Sequence, residues 1–441
     1  MSRLVLTAEL LSRLRADLLK GDREACAVLF GRSVELSGRL VRIVGRESIE
    51  ATANSYTIRT SVRAQLRPDF VAMVGQRARR SGESIIFVHT HPHSLNAFSA
   101  IDDAGEEELA AFLQQRAPDR KHAALLLTPE TSIARELGQR RPLRVIGVGR
   151  NVTWGDDVLK GNISSRYDRQ VRAFGVAGQR ILRSIRVGIV GLGGTGSVVL
   201  QALAYLGVQD FLLIDPDTIE ETNLNRVVGA TARDIGIPKV SVAKRWAEQI
   251  NSDIQVDARE ESVVKAAVAR SLADSDFVFC CTDSQGSRAI LNQFAYQYLV
   301  PVIDMGVVIA TEQHRVTHVA GRTQLLAPGL ACMVCGNFLD PEQIRRDLLS
   351  DFERQADPYI LGDAEPAPAV ISLNSSIASF ATTMFLNVIT GIPGSARFVN
   401  YNALTGVSRP AACSAHPSCI VCSLHGALAR ADEWPLPARQ D

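Results

Sequence analysis

Short apolar runs bounded by glycine, asparagine and proline alternate along this chain with stretches of helical period, which predicts an α/β protein. Glu83-Ser-Ile-Ile-Phe-Val88 reads as a buried strand, and 102–115 as an amphipathic helix beyond it. The runs at 123–127 and 143–148 are strand-like, and the polar stretch that follows, rich in Gly, Asn and Asp, is expected to be a linker at 149–164. That puts one domain at 1–148 and a second at 165–425. From Arg186 the pattern becomes strand, glycine loop, helix, strand: Arg186-Val-Gly-Ile-Val190, Gly191-Leu-Gly193-Gly-Thr-Gly196, a helix to about Leu206, then Phe211-Leu-Leu-Ile-Asp215. This is the pattern of a nucleotide-binding βαβ unit in a Rossmann-like, doubly wound sheet. Apolar runs at 277–281 and 300–303 continue a mostly parallel sheet, and 426–441, with two prolines, is expected to be a flexible tail.

Composition narrows the partners. With 48 basic against 47 acidic residues and no polybasic run, nothing marks a nucleic-acid or membrane-surface binder, so small molecules and proteins are expected. The opening Met-Ser-Arg-Leu-Val-Leu lacks a signal peptide's apolar core, and no apolar run reaches about 18 residues. A soluble, cytoplasmic protein is expected. The 441 residues suffice for two or three domains. Eight cysteines (Cys26, Cys280, Cys281, Cys332, Cys335, Cys413, Cys419, Cys422) are too sparse for a disulfide scaffold and cluster late, which suits a metal clip.

The first candidate chemistry is His89-Thr-His91-Pro92, six further residues, then Ser99-Ala-Ile-Asp102, with Glu24 upstream in Asp22-Arg-Glu-Ala-Cys26. Two imidazoles and a carboxylate leave one zinc position open for a water whose pKa falls to about 7, with Glu24 as its base. Taken singly, Ser99-x-x-Asp102 is also a capping box and the histidines are ordinary strand-end residues. Taken together, the set resembles the JAMM/MPN metalloprotease family, without departure in the motif, over about the first 140 residues. The resemblance implies an α+β domain in which His89, His91 and Asp102 ligate a catalytic zinc. By the same resemblance Ser99 supports the oxyanion or bound water, and Glu24 is the general acid/base of peptide or isopeptide hydrolysis.

The glycines Gly191, Gly193 and Gly196 fit any dinucleotide fold, and Asp215 suits the ribose of NAD as well as that of ATP. Around them stand Arg169-Gln170, Asp215-Pro-Asp217, Asn223-Leu-Asn225-Arg226, Pro238-Lys239 and Cys281-Thr-Asp283. Those pieces resemble the ubiquitin-activating enzyme-like family, which includes bacterial adenylyltransferases of molybdopterin and thiamine synthesis. The resemblance runs from about Ser165 to Cys422. It implies ATP-dependent adenylation with magnesium: Asp215 and Asp217 at the nucleotide, Asp215 on the ribose, Arg226 and Lys239 on the phosphates, Asn225 orienting them, and Asp283 on magnesium. Arg169 would act from the neighbouring subunit of a homodimer. Adenylation needs positioned cations and a metal-holding carboxylate, and these residues supply both. Each charge alone could equally be a solvated loop residue or an ion-pair member.

Cys332-Met-Val-Cys335 and Cys419-Ile-Val-Cys422 make a four-thiolate set of the closed, structural zinc type. A redox dithiol fits less well, because there are two pairs. Relatives that form a thioester carry a cysteine in the loop after the first pair, but 336–372 has none. Glu365-Pro-Ala-Pro-Ala-Val-Ile-Ser-Leu-Asn374 occupies that region, Cys280 and Cys281 end a buried strand, and Cys413 is the spare thiol. The expected protein is a bifunctional enzyme of a bacterial ubiquitin-like conjugation pathway, cutting at and adenylating the C-terminal glycine tail of a ubiquitin-like protein, with a conjugating enzyme as a further partner. Activation and release of a sulfur-carrier protein is the alternative. An NAD-dependent dehydrogenase is a third reading, against which no hydride-site His or Lys constellation follows the glycine loop.

Overall fold

The computed structural model describes residues 1–93, 95–155, 162–313, 315–356 and 368–440. The chain forms two compact units: Met1–Lys160 with Gln297–Leu299 and Ala427–Trp434, and Gly161–Tyr296 with Val300–Gly426 and Pro435–Asp441.

The first unit runs β1 (Arg3–Thr7), α1 (Ala8–Leu18), β2 (Cys26–Glu35), β3 (Val41–Glu50), β4 (Tyr56–Arg59), β5 (Ala64–Leu66), α2 (Pro68–Ser81), β6 (Ser84–Thr90), α3 (Ala100–Gln114), β7 (Ala123–Leu127), β8 (Ser132–Glu136), β9 (Pro142–Val148) and β10 (Val152–Trp154). Its sheet has the order β1-β3-β2-β6-β7-β8-β9-β10, and β1 also pairs with β9, so the sheet closes on itself. Alternate residues of the central strands feed two cores. Ala27, Leu29, Ile86 and Val88 pack with Leu10, Leu14 and Leu18 of α1. Val28, Phe30, Ile85 and Phe87 pack with Val74 and Ala78 of α2 and Leu113 of α3. A strand buried on both faces reads as a continuous apolar run, which is why 83–88 stands out in the sequence.

Two expectations are corrected here. The linker does not begin at 149: 152–154 pair antiparallel with β9, Val152 and Trp154 turned inward and Thr153 exposed, while 156–161 lie outside the described residues. Nor is the end of the chain a free tail. Gln297 Nε2 donates to the carbonyls of Ala431 and Trp434 at 2.7 and 2.6 Å, Tyr298 donates to Asp432 at 2.7 Å, and Arg32 grips Glu433 through two 2.9 Å contacts. Ala427, Ala429 and Ala431 are buried, and their small side chains gave little apolar signal.

The second unit runs α4 (Asp168–Ser184), β11 (Arg186–Val190), α5 (Gly194–Leu206), β12 (Asp210–Ile214), α6 (Lys239–Ile250), β13 (Gln255–Arg259), α7 (Ala266–Ser271), β14 (Phe277–Cys280), α8 (Gln285–Gln297), β15 (Val302–Glu312), β16 (Arg315–Leu326), α9 (Pro341–Leu348), α10 (Asp351–Ala356), α11 (Ile371–Ile389), β17 (Phe398–Asn402) and β18 (Val407–Pro410). The sheet order is β13-β12-β11-β14-β15-β16-β17-β18. Pairings from β13 to β15 are parallel and those from β15 to β18 antiparallel. The strand order reverses between β11 and β14, so the crevice at their carboxyl ends is the switch point where doubly wound folds bind ligands.

Candidate metal and nucleotide sites

In the first unit, β6 delivers His89 and His91, and the first turn of α3 delivers Asp102. The sequence-expected ligand atoms lie within 4.8 Å of one another. His89 Nε2 is 3.1 Å from Asp102 Oδ1, and His91 Nε2 is 3.4 Å from Asp102 Oδ2. Tetrahedral zinc with ligands at about 2.0–2.1 Å requires ligand separations of about 3.3 Å, so the set fits. The buried His89 Nε2 makes no hydrogen bond among the described residues despite its approach to Asp102, so its lone pair is left for a third atom. His91 Nδ1 lies 3.1 Å from the Leu95 carbonyl, which can only accept. That bond sets the tautomer and turns a bare Nε2 toward the site.

Ser99 is the N-cap of α3. Its backbone N–H donates to Asp102 Oδ2 at 2.6 Å, and its hydroxyl accepts from the Asp102 N–H at 3.2 Å. The capping box and the motif are thus one feature, because the cap orients the carboxylate. Burial opposes ionisation of Asp102, yet the His89 and His91 imidazoles and the Ser99 amide hold it well below the usual carboxylate range. Glu24 is 6% exposed, with Oε1 3.8 Å from His91 Nε2. Burial raises its pKa against the pull of His91 and His89, the direction that suits a proton carrier.

Glu24 has supports that sequence reading missed. Its N–H donates to the Thr60 carbonyl at 2.8 Å, its own carbonyl accepts from Arg59 at 2.9 Å, and the next strand residue, Cys26, donates to Tyr56 Oη at 2.7 Å. The β4–β5 hairpin therefore fixes Glu24, and nothing local in those residues signals it. Burial pushes the Cys26 thiol up to about 12. Behind the ligands, Arg135 of β8 bonds Glu106 and Asp103 of α3 at 2.6–3.2 Å and lies 3.8 Å over Phe98, whose ring abuts that of His89.

In the second unit, Gly191 has φ +87°, and a Cβ on Gly196 would sit 1.9 Å from the Gly191 carbonyl oxygen. Only glycine permits this turn and this approach of helix to strand. Gly193 faces open space, as a backbone that receives a ligand must. Asp215, beyond β12, is 4% exposed and accepts from the Leu192 N–H at 2.6 Å and the Asp217 N–H at 2.9 Å. Burial raises its pKa. Lys239 starts α6 and pairs with Asp217 at 2.7 Å. Arg226 donates to the Thr222 carbonyl at 2.5 Å and to Asn225 Oδ1 at 3.2 Å.

Asp283 follows β14 beside the glycine loop, where a Cβ on Gly191 would meet the Cys281 carbonyl at 2.9 Å. Arg169, by contrast, stands exposed on α4 with no hydrogen bond or ion pair among the described residues. Unforeseen from the sequence are Arg288 and Arg322, which flank the fully buried Asp304 at 3.4 and 2.6 Å.

Cys332, Cys335, Cys419 and Cys422 gather with sulfur separations of 3.5, 3.6 and 3.7 Å. A tetrahedron with Zn–S of about 2.3 Å has edges of about 3.8 Å, so these donors also fit zinc. The His416 N–H donates to Cys335 Sγ at 3.3 Å, a contact that stabilises a thiolate. Cys413 is partly exposed, with Sγ 4.0 Å from the Ser414 carbonyl. Of 365–374, the residues before Pro368 lie outside the described residues.

A glycine turn at a parallel-sheet switch point, with a four-thiolate cluster in the same unit and a two-histidine, one-carboxylate cluster in the other, marks a two-unit protein with a candidate nucleotide site and two candidate metal sites. Residues 167–421 match the ThiF family, and residues 7–136 match the family described as prokaryotic homologs of the JAB domain. The chain belongs to the ThiF family, with a JAB-like domain fused ahead of it. It is 30% identical over 259 residues to the molybdopterin-synthase adenylyltransferase of Escherichia coli (strain K12), spanning 58% of this chain and 95% of that one. It is 34% identical over 140 residues to the SAMP-activating enzyme E1 of Haloferax volcanii, spanning 31% of this chain and about half (52%) of that one. Among solved structures, E. coli MccB with ATP aligns at 22% identity and a TM-score of 0.48, covering 59% of this chain and 75% of that one. No helix among the described residues is long and apolar enough to cross a membrane.

Proposed function

We propose that the chain is a bifunctional enzyme acting on the C-terminus of a ubiquitin-like protein, one domain cutting at the glycine tail and the other coupling the freed carboxylate to AMP. The observation that carries the hydrolytic half is the convergence of His89, His91 and Asp102 with the buried Glu24 3.8 Å from His91. Bound by that set, zinc would supply Lewis acidity and a water acidified to a pKa of about 7. Glu24 takes the proton from the attacking water and hands it to the leaving nitrogen, its raised pKa suiting both steps. The Ser99 cap keeps Asp102 ionised and aimed, and the Ser99 hydroxyl is placed beside the same turn to assist the oxyanion.

For the second half, the carboxylate of the tail attacks the α-phosphorus of ATP, forming the acyl-adenylate and releasing pyrophosphate. Asp215 receives the ribose, Gly191, Gly193 and Gly196 admit the phosphates to the amino end of α5, and Arg226 and Lys239 neutralise them. Asp217, which pairs with Lys239, keeps it positioned until the nucleotide arrives. Asp283 holds magnesium, Asn225 orients Arg226, and Arg169 contributes from the second subunit of a homodimer. Cys332, Cys335, Cys419 and Cys422 would hold a structural zinc, which would tie the segment around Cys419 and Cys422 to that around Cys332 and Cys335. A second reading of the biology is activation of a sulfur-carrier protein with the hydrolytic domain releasing the loaded product, its first part supported by the likeness to the sulfur carrier protein ThiS adenylyltransferase of Escherichia coli (strain K12).

The test is a pair of substitutions assayed on small proteins ending in Gly-Gly. Asp283→Asn silences ATP–pyrophosphate exchange and leaves cleavage of extended precursors intact; Glu24→Gln does the reverse and retains its zinc. Loss of both activities in either variant refutes the assignment. Transfer to an acceptor amine supports conjugation, and transfer of sulfur supports the second reading.

A further inference from the structure

The first turn of α11 places Asn374, 6% exposed, against the amino end of α5. A Cβ on Gly194 would lie 2.1 Å from Asn374 Nδ2 and 3.4 Å from Arg226 Cδ, so the amide, the arginine stem and the start of α5 meet at one point. The neighbouring N-cap is Gly193, which offers no side-chain cap and faces open space. Among the described residues, the Asn374 side chain makes no hydrogen bond, although its backbone N–H donates to the Val370 carbonyl at 3.1 Å. The residue is nine-tenths buried, yet its amide is not among the side-chain atoms sealed from solvent, so an Nδ2 without a protein partner is open to an incoming acceptor. The amino end of a helix concentrates positive potential and favours an anion.

We propose that Asn374 is a nucleotide-binding residue whose Nδ2 donates to a phosphate oxygen of the bound nucleotide, beside Arg226 and the amino end of α5. The inference rests on the adenylation reading and deepens it: α11, far from the glycine loop in sequence, closes the phosphate site and selects the phosphorylated ligand over the bare nucleoside. Gly194 is then glycine for a reason separate from backbone torsion, because any side chain there displaces the amide.

Isothermal titration of the full-length chain with Mg-ATP and with adenosine tests this. Asn374→Ala should weaken ATP about tenfold, the loss of one charge-assisted hydrogen bond, and Asn374→Asp about a hundredfold, since it adds a repelling charge. Adenosine should bind within about twofold of the unsubstituted protein in both variants, the contact being to phosphate alone. Gly194→Ala should reproduce the Asn374→Ala result. Equal affinity for ATP in all variants overturns the proposal, and so does parallel weakening of ATP and adenosine, which would make Asn374 a packing residue. If Asn374→Asp does not fold, the neutral Asn374→Ser should weaken ATP about as Asn374→Ala does and leave adenosine within about twofold. Failure of the unsubstituted chain to bind Mg-ATP at all would instead overturn the adenylation reading.

Discussion

Glu24, His89, His91 and Asp102 were legible as residue types at fixed spacing, because a cluster built on a strand end and a helix start leaves a short sequence trace. What holds them was not: Tyr56 and Arg59 through their side chains and Thr60 through its carbonyl reach Glu24 and Cys26 from a separate hairpin, and hydrogen bonds to a backbone distant in sequence have no local signal. Gly191 and Gly196 were legible for the opposite reason, since a positive φ and a 1.9 Å approach admit no other residue. Replacing Glu24 by Gln keeps the side chain's shape and removes its proton transfer. We expect precursor cleavage to fall by about 10²–10⁴-fold with zinc stoichiometry unchanged, as measured by metal analysis of the purified variant. Loss of zinc along with activity would make Glu24 a ligand rather than a base.

At the scale of elements, apolar periodicity located β6, β7, β9, β11, β12, β14 and the helix after the glycine loop within a residue or two, but it left β2, β3 and β16 unplaced and stopped well short of the end of β15. It did not reveal that β1 pairs with β9 to close the first sheet, because closure depends on shear and tilt rather than on any one strand's pattern. The α3–β8 clamp is similarly long-range. Arg135→Met should free α3 and unseat Phe98 from His89, weakening zinc at the two-histidine centre about tenfold in chelator competition while the four-thiolate zinc stays bound.

His122 makes a second element-level prediction. Its Nδ1 accepts from the Ile85 N–H of β6 at 3.0 Å, its Nε2 donates to the Ala117 carbonyl at 3.2 Å, and burial lowers its pKa. Its folded-state pKa thus lies below the unfolded value of about 6.5, so the unfolded chain takes up the proton first and stability falls as pH drops below about 6.5. Above that pH the group contributes no slope. Melting temperature measured from pH 7.5 to 5 should fall less steeply in His122→Gln than in the unsubstituted chain, and identical slopes would refute the assignment.

Over the whole molecule, the order of a JAB-like domain ahead of a ThiF domain was readable from motif order alone, whereas the fate of the last residues was not. Ala427–Trp434 completes the first unit through Gln297, Tyr298 and Arg32. Truncation after Gly426 removes the Ala431 and Trp434 carbonyls to which Gln297 donates and the Glu433 carboxylate that Arg32 binds, and the first unit should melt about 3–8 °C lower by calorimetry. An unchanged transition would mean the segment adds nothing to stability.

The central claim is that one flexible terminus visits both sites in order, since a tail still carrying an extension has no glycine carboxylate to adenylate. It is tested most directly by ATP–pyrophosphate exchange with the Glu24→Gln chain, given a Gly-Gly protein in mature form and in a form extended by a few residues. The account predicts full exchange with the mature form and none with the extended form, and exchange with both when the unsubstituted chain is used. Exchange by Glu24→Gln on the extended form, or none by the unsubstituted chain on any mature Gly-Gly protein, would contradict it.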